Sequence, residues 1–263
     1  MNILIAGLAK SGTTMLFSRV KDRLGDDAVR CYFEPHTDAQ IADILDATPA
    51  AASLSKVLIG RVTATTARVD EFDHNIMIYR DPRDQFISML LYLFYDFQVS
   101  GDKAGYETCY EALSEKVKDP DGVSCFELWD KISMTVGRAP HVVFQNLHRE
   151  QLAYANRFKP YMARYEMLLD GDWAGLSAFL DIDLAGDHSS VPQDLQRVTR
   201  SRGYGDWRYW LTDGDLSFIN QHWSENLTWL GYETEAARLQ EAIPEHTSLG
   251  YVCQFNPADQ PEA

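Results

Sequence analysis

Short apolar runs, each followed by small or polar residues, recur along the chain and predict buried parallel strands. The first run covers residues 3–6, and a turn rich in small residues follows it. From Thr13 onward the apolar residues Met15, Leu16 and Val20 recur at helical spacing. The N-terminus therefore predicts a strand, a glycine turn and a helix.

The alternation of strand and helix patterns continues along the chain. Further strands are predicted at residues 29–33, 56–62, 75–79, 141–144 and 161–166, and helices at 38–45, 82–94 and 215–226. Asp81 and Pro82 suit the N-cap and first position of the second of these helices. Asp170 or Asp172 is expected to cap another helix, which ends at Leu180. Strands alternating with helices predict an α/β fold with helices flanking a parallel central sheet.

The connections between these elements are polar or rich in small residues. Residues 48–55 are predicted as a connection, and residues 187–194 as a loop. The chain contains no internal repeat and no linker, so a single domain is expected over residues 1–256. The polar residues 257–263 are expected to form a disordered tail.

An aromatic stretch, residues 92–129, is interrupted by glycine and proline. Aromatic residues in such a segment either pack as helix core or line a pocket for a substrate. The sequence leaves both interpretations open.

Composition indicates an ordinary globular chain with an acidic surface. The chain has 263 residues, of which 45% are hydrophobic and 24% charged, and its net charge is −15. This charge argues against nucleic acid or an anionic membrane surface as a partner. No run approaches the ~20 apolar residues of a membrane span. The sequence does not indicate an oligomeric state.

The four cysteines are scattered without C-x-x-C spacing, so neither a zinc site nor a disulfide framework is indicated. No dense cluster of ligand types suggests another metal. The N-terminal apolar run is too short for a signal peptide and lacks a basic leader. These features predict a reduced, cytoplasmic setting.

The turn after the first strand carries the most specific motif. Gly7 and Gly12 have the G-x-x-x-x-G spacing of a nucleotide-binding P-loop, but Thr13 stands where that motif has lysine. The lysine of this turn is Lys10. The run Lys-Ser-Gly-Thr-Thr at residues 10–14 resembles the 5′-phosphosulfate loop of sulfotransferases that use 3′-phosphoadenosine-5′-phosphosulfate (PAPS).

The resemblance implies roles for the residues of this loop. Lys10 would neutralise the charge that grows on the bridging and leaving oxygens. Backbone N–H groups and threonine hydroxyls would hold the 5′-phosphate, and the residues concerned are Ser11, Gly12, Thr13 and Thr14.

A second element follows the strand at residues 75–79. Arg80 and Ser88, with Asp-Pro-Arg-Asp directly after the arginine, resemble the element of the same family that binds the 3′-phosphate. The string Arg-Tyr-Glu at residues 164–166 resembles the family's Tyr-Glu-Asp strand end. That likeness places Tyr165 beside the adenine.

Residues 200–212 resemble the family's C-terminal signature, Arg-Lys-Gly-x-x-Gly-Asp-Trp-Lys. Here one residue separates Gly203 from Gly205, so either Arg200 or Arg202 is implied to face the 3′-phosphate beside Gly203. Because the donor is polyanionic, basic residues of the three elements are expected to form a local cationic site: Lys10, Arg80, Arg83, Arg200, Arg202 and Arg208.

The general base is implied by a further likeness. Many cytosolic members carry a catalytic histidine in a Lys-Thr-His strand end, but residues 58–61 read Leu-Ile-Gly-Arg. Phe-Glu-Pro at residues 33–35 resembles carbohydrate members, in which a glutamate follows the second strand. Glu34 is therefore the expected base, with His36 second.

The resemblance implies a sulfotransferase with a P-loop-like three-layer α/β/α fold. It would move a sulfuryl group from PAPS to a hydroxyl of a small-molecule or carbohydrate acceptor by in-line displacement, without a metal. Glu34 favours a sugar or other alcohol, and the aromatic stretch favours an apolar hydroxyl compound. The alternatives are a P-loop kinase or nucleotide hydrolase, against which Thr13 argues, and a non-catalytic nucleotide-binding module.

Overall fold

A computed structural model describes residues 1–25, 29–46, 52–61, 68–186 and 193–259. These residues contain a five-stranded parallel sheet with the strand order β2-β3-β1-β4-β5. The strands are β1 (Asn2–Gly7), β2 (Val29–Phe33), β3 (Ala52–Leu58), β4 (His74–Tyr79) and β5 (Tyr161–Arg164). The predicted α/β class with a parallel central sheet is confirmed.

Helices connect the strands and make up most of the remaining described chain. They are α1 (Thr13–Leu24), α2 (Asp38–Asp46), α3 (Pro82–Tyr92), α4 (Tyr95–Ser100), α5 (Lys103–Lys118), α6 (Cys125–Thr135), α7 (Val142–Phe158), α8 (Tyr165–Leu169), α9 (Ala174–Leu180), α10 (Trp207–Trp210), α11 (Asp213–His222), α12 (Ser224–Trp229) and α13 (Leu249–Cys253). Short 3₁₀ helices lie at Val69–Glu71, Gln193–Val198, Glu245–Thr247 and Pro257–Asp259. Residues 260–263 of the predicted tail lie outside the described residues.

Helices cover both faces of the sheet. Alternate side chains of β1 point to opposite faces, and they pack in two different apolar clusters. Ile3 and Ile5 pack in one apolar cluster with Leu16 and Val20 of α1. Leu4 and Ala6 pack in a second cluster, which contains Ile41 of α2 and Tyr154 of α7. The expected helix–sheet–helix layering is therefore present, and it explains why β1 is continuously apolar.

The described residues divide into two compact units, and the single domain over residues 1–256 stays a prediction from the sequence. The first unit comprises Met1–Arg80 and Asn146–Gln196, which include the whole sheet. The second comprises Asp81–Gln145 and Arg197–Ala263, and its described elements are helical.

The core of the second unit is aromatic. The ring of Phe86 lies 4.8 Å from that of Phe126 and 4.9 Å from that of Trp129, measured between ring centres. Phe144 and Trp223 pack against the same ring at 5.5 and 5.7 Å. Of the two interpretations of the aromatic stretch, helix core therefore holds for Phe126 and Trp129, both of which are buried.

Two predicted strands are wrong in part or in whole. Residues 141–144 are not a strand, because Val142–Phe158 is a helix whose first turn buries Phe144 and exposes both valines. β3 begins at Ala52, not at residue 56, because the small side chains of Ser53 and Ser55 are buried beside β1. The predicted end of this strand, Val62, lies outside the described residues, as do residues 48–51 and 187–192 of the two predicted connections.

Other predicted boundaries of strands and helices are also wrong. The strand predicted through residue 166 ends at Arg164, and Tyr165 opens α8. α9 begins after Trp173 with no side-chain cap, so neither Asp170 nor Asp172 has the predicted role. The single helix predicted at residues 215–226 is two helices, α11 and α12.

Candidate functional site

The loop between β1 and α1, residues 7–13 and here called the glycine loop, is a tight turn against the sheet. A Cβ on Gly7 would lie 2.7 Å from Ser11 Oγ and 2.8 Å from the carbonyl oxygen of Ile78. Lys10 and Gly12 have φ values of 68° and 98°, so the backbone is twice left-handed before α1 begins. Turns of this kind at a helix N-terminus form concave sites for anions.

Ser11 closes the turn itself. Its hydroxyl and its backbone N–H both donate to the carbonyl oxygen of Leu8, at 2.7 and 3.2 Å, and the residue is fully buried. Thr13 and Thr14 open α1, and the first N–H groups of a helix have no partner within it. The loop therefore offers an anion the start of α1 rather than the Ser11 hydroxyl.

Arg80 brings a cation to the glycine loop. Its Nη1 lies 3.4 Å from the carbonyl oxygen of Lys10, and its guanidinium carbon lies 4.7 Å from the ring centre of Tyr165. The tyrosine ring in turn occupies the space beside Gly12, where a Cβ would come within 2.4 Å of Tyr165 Cδ2. Residues from three separate sequence motifs thus meet at the carboxyl ends of β1, β4 and β5.

Lys56 is a buried cation at the same edge of the sheet. Its side chain is 2% exposed, and Nζ donates to Glu34 Oε1 at 2.6 Å and to Thr14 Oγ1 at 3.0 Å. Burial lowers the pKa of Lys56, while the hydrogen bond and charge of Glu34 act in the opposite direction. Lys56 therefore joins the expected base to the first turn of α1.

The two candidate bases share a second cation, Arg61. Glu34 Oε2 accepts a hydrogen bond from Arg61 Nη1 at 3.3 Å, and the same nitrogen lies 3.3 Å from His36 Nδ1. Glu34 has φ 55°, and its backbone N–H donates to the carbonyl oxygen of Lys56 at 2.8 Å. The left-handed backbone of Glu34 turns the chain away from the direction of β2, while the hydrogen bond to Lys56 keeps Glu34 attached to β3.

In the second unit, the segment after Gly203 is fixed to the start of α3. The buried carboxylate of Asp84 accepts backbone hydrogen bonds from Gly205 at 2.6 Å and from Trp207 at 3.2 Å. The guanidinium of Arg83 lies 4.0 Å from the Trp207 ring centre, and its charge is paired with Asp81 at 2.8 Å. Arg83 is therefore a structural residue of this unit.

The two candidate arginines of the C-terminal signature differ in environment. Arg200 is 2% exposed, and its Nη1 lies 2.5 Å from Asp206 Oδ2. Arg202 is exposed and has φ 49°. Arg208 stacks on Trp207 and donates to the carbonyl oxygen of Ala237. Two arginines of the expected cationic group are therefore paired with carboxylates: Arg83 with Asp81, and Arg200 with Asp206. Ser88 and Gly203 also belong to this unit.

Sequence reasoning missed Lys56, Arg61 and Asp84. The sequence did carry a signal for Lys56: it is a lysine within the small and apolar run 52–58. A buried ammonium needs a partner, so a lysine in such a strand indicates a nearby carboxylate. No local pattern singles out Arg61 or Asp84, because their partners are 27 and 121 residues away along the chain.

Within the described parts of the chain, no three His, Cys, Asp or Glu side chains gather as a metal site. Across the same residues, no helix is both long and apolar enough to traverse a bilayer.

Comparison with known proteins yields no relative by sequence. No protein-family model matches the chain, and no curated protein matches it. Among solved structures, the chain is similar to mouse sulfotransferase SULT7A1 complexed with PAP, with 14% identity and a TM-score of 0.49. The likeness covers 86% of this chain and 84% of that chain. What this chain does is therefore inferred from its own residues.

Proposed function

We propose that the chain is a PAPS-dependent sulfotransferase that transfers a sulfuryl group to an acceptor hydroxyl. One observation carries the proposal: Arg80 contacts both the glycine loop and Tyr165, with 3.4 Å to the Lys10 carbonyl oxygen and 4.7 Å to the tyrosine ring centre. Ligands of open parallel sheets bind at the carboxyl ends of the strands. An anion-binding turn, a cation and an aromatic ring at this edge suit a nucleotide with phosphates on both sides of its ribose.

The glycine loop would hold the 5′ end of the donor. The N–H groups and hydroxyls of Thr13 and Thr14 would bind the 5′-phosphate, together with the N–H of Gly12. Lys10 would stabilise the negative charge that develops on the leaving oxygen, because sulfuryl transfer, like phosphoryl transfer, depends mainly on positioning and charge stabilisation.

Arg80 would contact the 3′-phosphate, and Tyr165 would pack near the adenine. In the second unit, Arg202 is the better candidate for a phosphate, because Asp206 already compensates Arg200. The roles of Ser88, Arg202 and Gly203 toward the 3′-phosphate remain predictions from the sequence.

Glu34 would accept the proton of the acceptor hydroxyl. Hydrogen bonds from Lys56 and Arg61 hold the Glu34 carboxylate in position. His36 is the second candidate, because Arg61 contacts both residues.

A titration with adenosine 3′,5′-bisphosphate (PAP) and with ATP–Mg²⁺, followed by turnover with labelled PAPS, tests the proposal. We expect PAP to bind and ATP–Mg²⁺ to bind at least about a hundredfold more weakly, because a 3′-phosphate held by charge-assisted hydrogen bonds contributes ~3 kcal/mol. Tighter binding of ATP–Mg²⁺ would indicate a kinase or nucleotide hydrolase. Binding of PAP without turnover on any hydroxyl acceptor would indicate a non-catalytic module.

A further inference from the structure

A cavity of about 560 Å³ lies at the carboxyl end of β2, within the first unit. One wall is the continuous stretch 31–36, and α2 contributes Gln40, Asp43 and Ile44. Its volume falls within the ~300–1,000 Å³ of sites that bind single small molecules. The cavity has the size of a small-molecule site.

Glu34 belongs both to this wall and to the site at the glycine loop. Its Oε1 lies 2.6 Å from Lys56 Nζ, which lies 3.0 Å from Thr14 Oγ1. Two hydrogen bonds therefore connect the cavity wall to the first turn of α1. A hydroxyl that donates to Glu34 from the cavity would be joined to the first turn of α1 through Lys56.

The charges on the wall are largely compensated within the protein. Lys56 and Arg61 both contact the Glu34 carboxylate, and Arg61 also contacts His36. Asp43, on the exposed side of α2, adds a further carboxylate to the lining. Asp43 would therefore repel an anionic ligand. The cations at this wall, Lys56 and Arg61, are already paired with Glu34.

Apart from Gln40, the remaining lining is mainly apolar and partly aromatic. It includes Tyr32, Phe33, Pro35 and Ile44. The Phe33 ring is 42% exposed, although the edge of Phe17 at 5.5 Å and the ammonium of Lys56 at 4.0 Å hold it in place. A fixed and exposed aromatic ring offers a flat apolar face on which an aromatic or aliphatic body can stack.

We propose that this cavity is the acceptor site, that it takes an uncharged aromatic or apolar hydroxyl compound, and that Asp43 excludes anionic acceptors. This inference rests on the proposed function. In the reaction, the acceptor oxygen forms a bond to sulfur as its proton passes to the Glu34 carboxylate. The bond between sulfur and the bridging oxygen of PAPS breaks, and PAP leaves with that electron pair.

The test compares two phenols of similar size, para-ethylphenol and para-hydroxyphenylacetate, with labelled PAPS as donor. We expect kcat/KM for para-ethylphenol to exceed that for the carboxylated phenol at least about tenfold, which corresponds to ~1.4 kcal/mol, because Asp43 repels the carboxylate of the second compound. A wild-type protein that prefers the carboxylated phenol would overturn the inference.

Two variants locate the effect in the cavity. Asp43→Lys should reduce the preference for para-ethylphenol at least about fivefold, while Glu107→Lys, the same charge change at an exposed position of α5, should leave it unchanged. Ile44→Trp should fill the cavity and raise KM for para-ethylphenol at least about tenfold with unchanged affinity for PAP. Equal preferences in Asp43→Lys and Glu107→Lys would overturn the proposal even if Ile44→Trp does not fold.

Calorimetric titration of the same samples with PAP separates the two proposals. If PAP does not bind, the proposed function fails, and this inference fails with it. If PAP binds and another acceptor is sulfated with a KM that Asp43→Lys leaves unchanged, the acceptor inference alone fails.

Discussion

The ammonium of Lys56 lies 2.6 Å from the carboxylate of Glu34, and the two residues belong to neighbouring strand ends. Lys56 is 2% exposed and Glu34 23% exposed, so the carboxylate is the partner that faces outward. Removing Glu34 takes away the carboxylate that compensates the buried charge of Lys56, whereas removing Lys56 leaves Glu34 in contact with Arg61. The pair therefore links chemistry and stability at this site.

Replacing Glu34 with glutamine should separate these two roles. In Glu34→Gln we expect turnover to fall ~10²–10⁴-fold because the proton acceptor is lost, while affinity for PAP changes little. The free energy of unfolding should fall by ~1–3 kcal/mol because the buried Lys56 loses its carboxylate. Steady-state kinetics and urea unfolding measure both effects, with Glu107→Gln at an exposed position of α5 as the control. Unchanged turnover would place the base elsewhere.

The ammonium of Lys10 and the backbone of Lys10 can be tested separately. Lys10→Ala and Lys10→Gly should both lower kcat by ~10²–10³-fold, because both remove the charge beside the leaving oxygen. The glycine variant should be the more stable of the two by ~1 kcal/mol, because glycine adopts the φ of 68° at this position without strain. Kinetics and chemical denaturation distinguish the effects, and Lys103→Ala provides a control for loss of charge. Normal turnover in either variant would count against the role of Lys10.

The role of Arg80 is tested by comparing two nucleotides. Arg80→Ala should weaken binding of PAP by ~1.5–3 kcal/mol, because a charge-assisted hydrogen bond to the 3′-phosphate is lost. Adenosine 5′-monophosphate, which lacks that phosphate, should bind with nearly unchanged affinity. Calorimetry on the variant and on Arg149→Ala, an exposed arginine of α7, measures both affinities. An equal loss for the two nucleotides would refute the assignment of the 3′-phosphate to Arg80.

Local signals predicted the parts of the fold that depend on neighbouring residues. β2 has its predicted bounds, Val29–Phe33. α3 begins as expected, with Pro82 at its first position and the Asp81 side chain accepting from the N–H of Arg83. The run Val-Val-Phe at residues 142–144 misled because three apolar residues fit a strand and a helix equally well, and the helix is set by the residues that follow.

Contacts between distant residues were beyond the reach of sequence patterns. Glu34 was identified as a candidate base, but its partners Lys56 and Arg61 lie on or after another strand. The backbone N–H of Ser11 was expected to contact a phosphate, and in the structure both this N–H and the Ser11 hydroxyl donate to the carbonyl oxygen of Leu8 within the turn. A motif specifies which residues surround a ligand, but packing decides which polar groups remain available to it.

Gly12 provides a test of how tightly the glycine loop packs against Tyr165. Gly12 and Gly101 both have left-handed backbones, with φ values of 98° and 72°, but a Cβ at Gly101 meets no described atom within 4 Å. Gly101→Ala should therefore cost only backbone strain, ~1–2 kcal/mol. Gly12→Ala should cost a further ~1–3 kcal/mol because its Cβ would overlap the tyrosine ring. Urea unfolding measures both variants, and adding Tyr165→Leu should recover part of the extra loss. Equal losses for the two alanine variants would contradict this packing.

The last prediction concerns His148, a buried residue of α7. Burial lowers the pKa of His148 to about 3, whereas an exposed histidine in the unfolded chain titrates near ~6.5. Between these values the unfolded state binds a proton that the native state does not, so the free energy of unfolding falls as the pH falls. This histidine alone contributes a slope of up to ~1.4 kcal/mol per pH unit below about pH 6.

Urea unfolding at about pH 7 and about pH 5 tests this dependence. His148→Gln should lose less stability between the two pH values than the wild type, because glutamine takes up no proton. His246→Gln, at an exposed position, should keep the wild-type dependence. Carboxylates and other histidines titrate in all three proteins, so the difference between them reports on His148. An identical loss in His148→Gln and the wild type would show that this histidine takes up its proton in the folded protein as readily as in the unfolded chain.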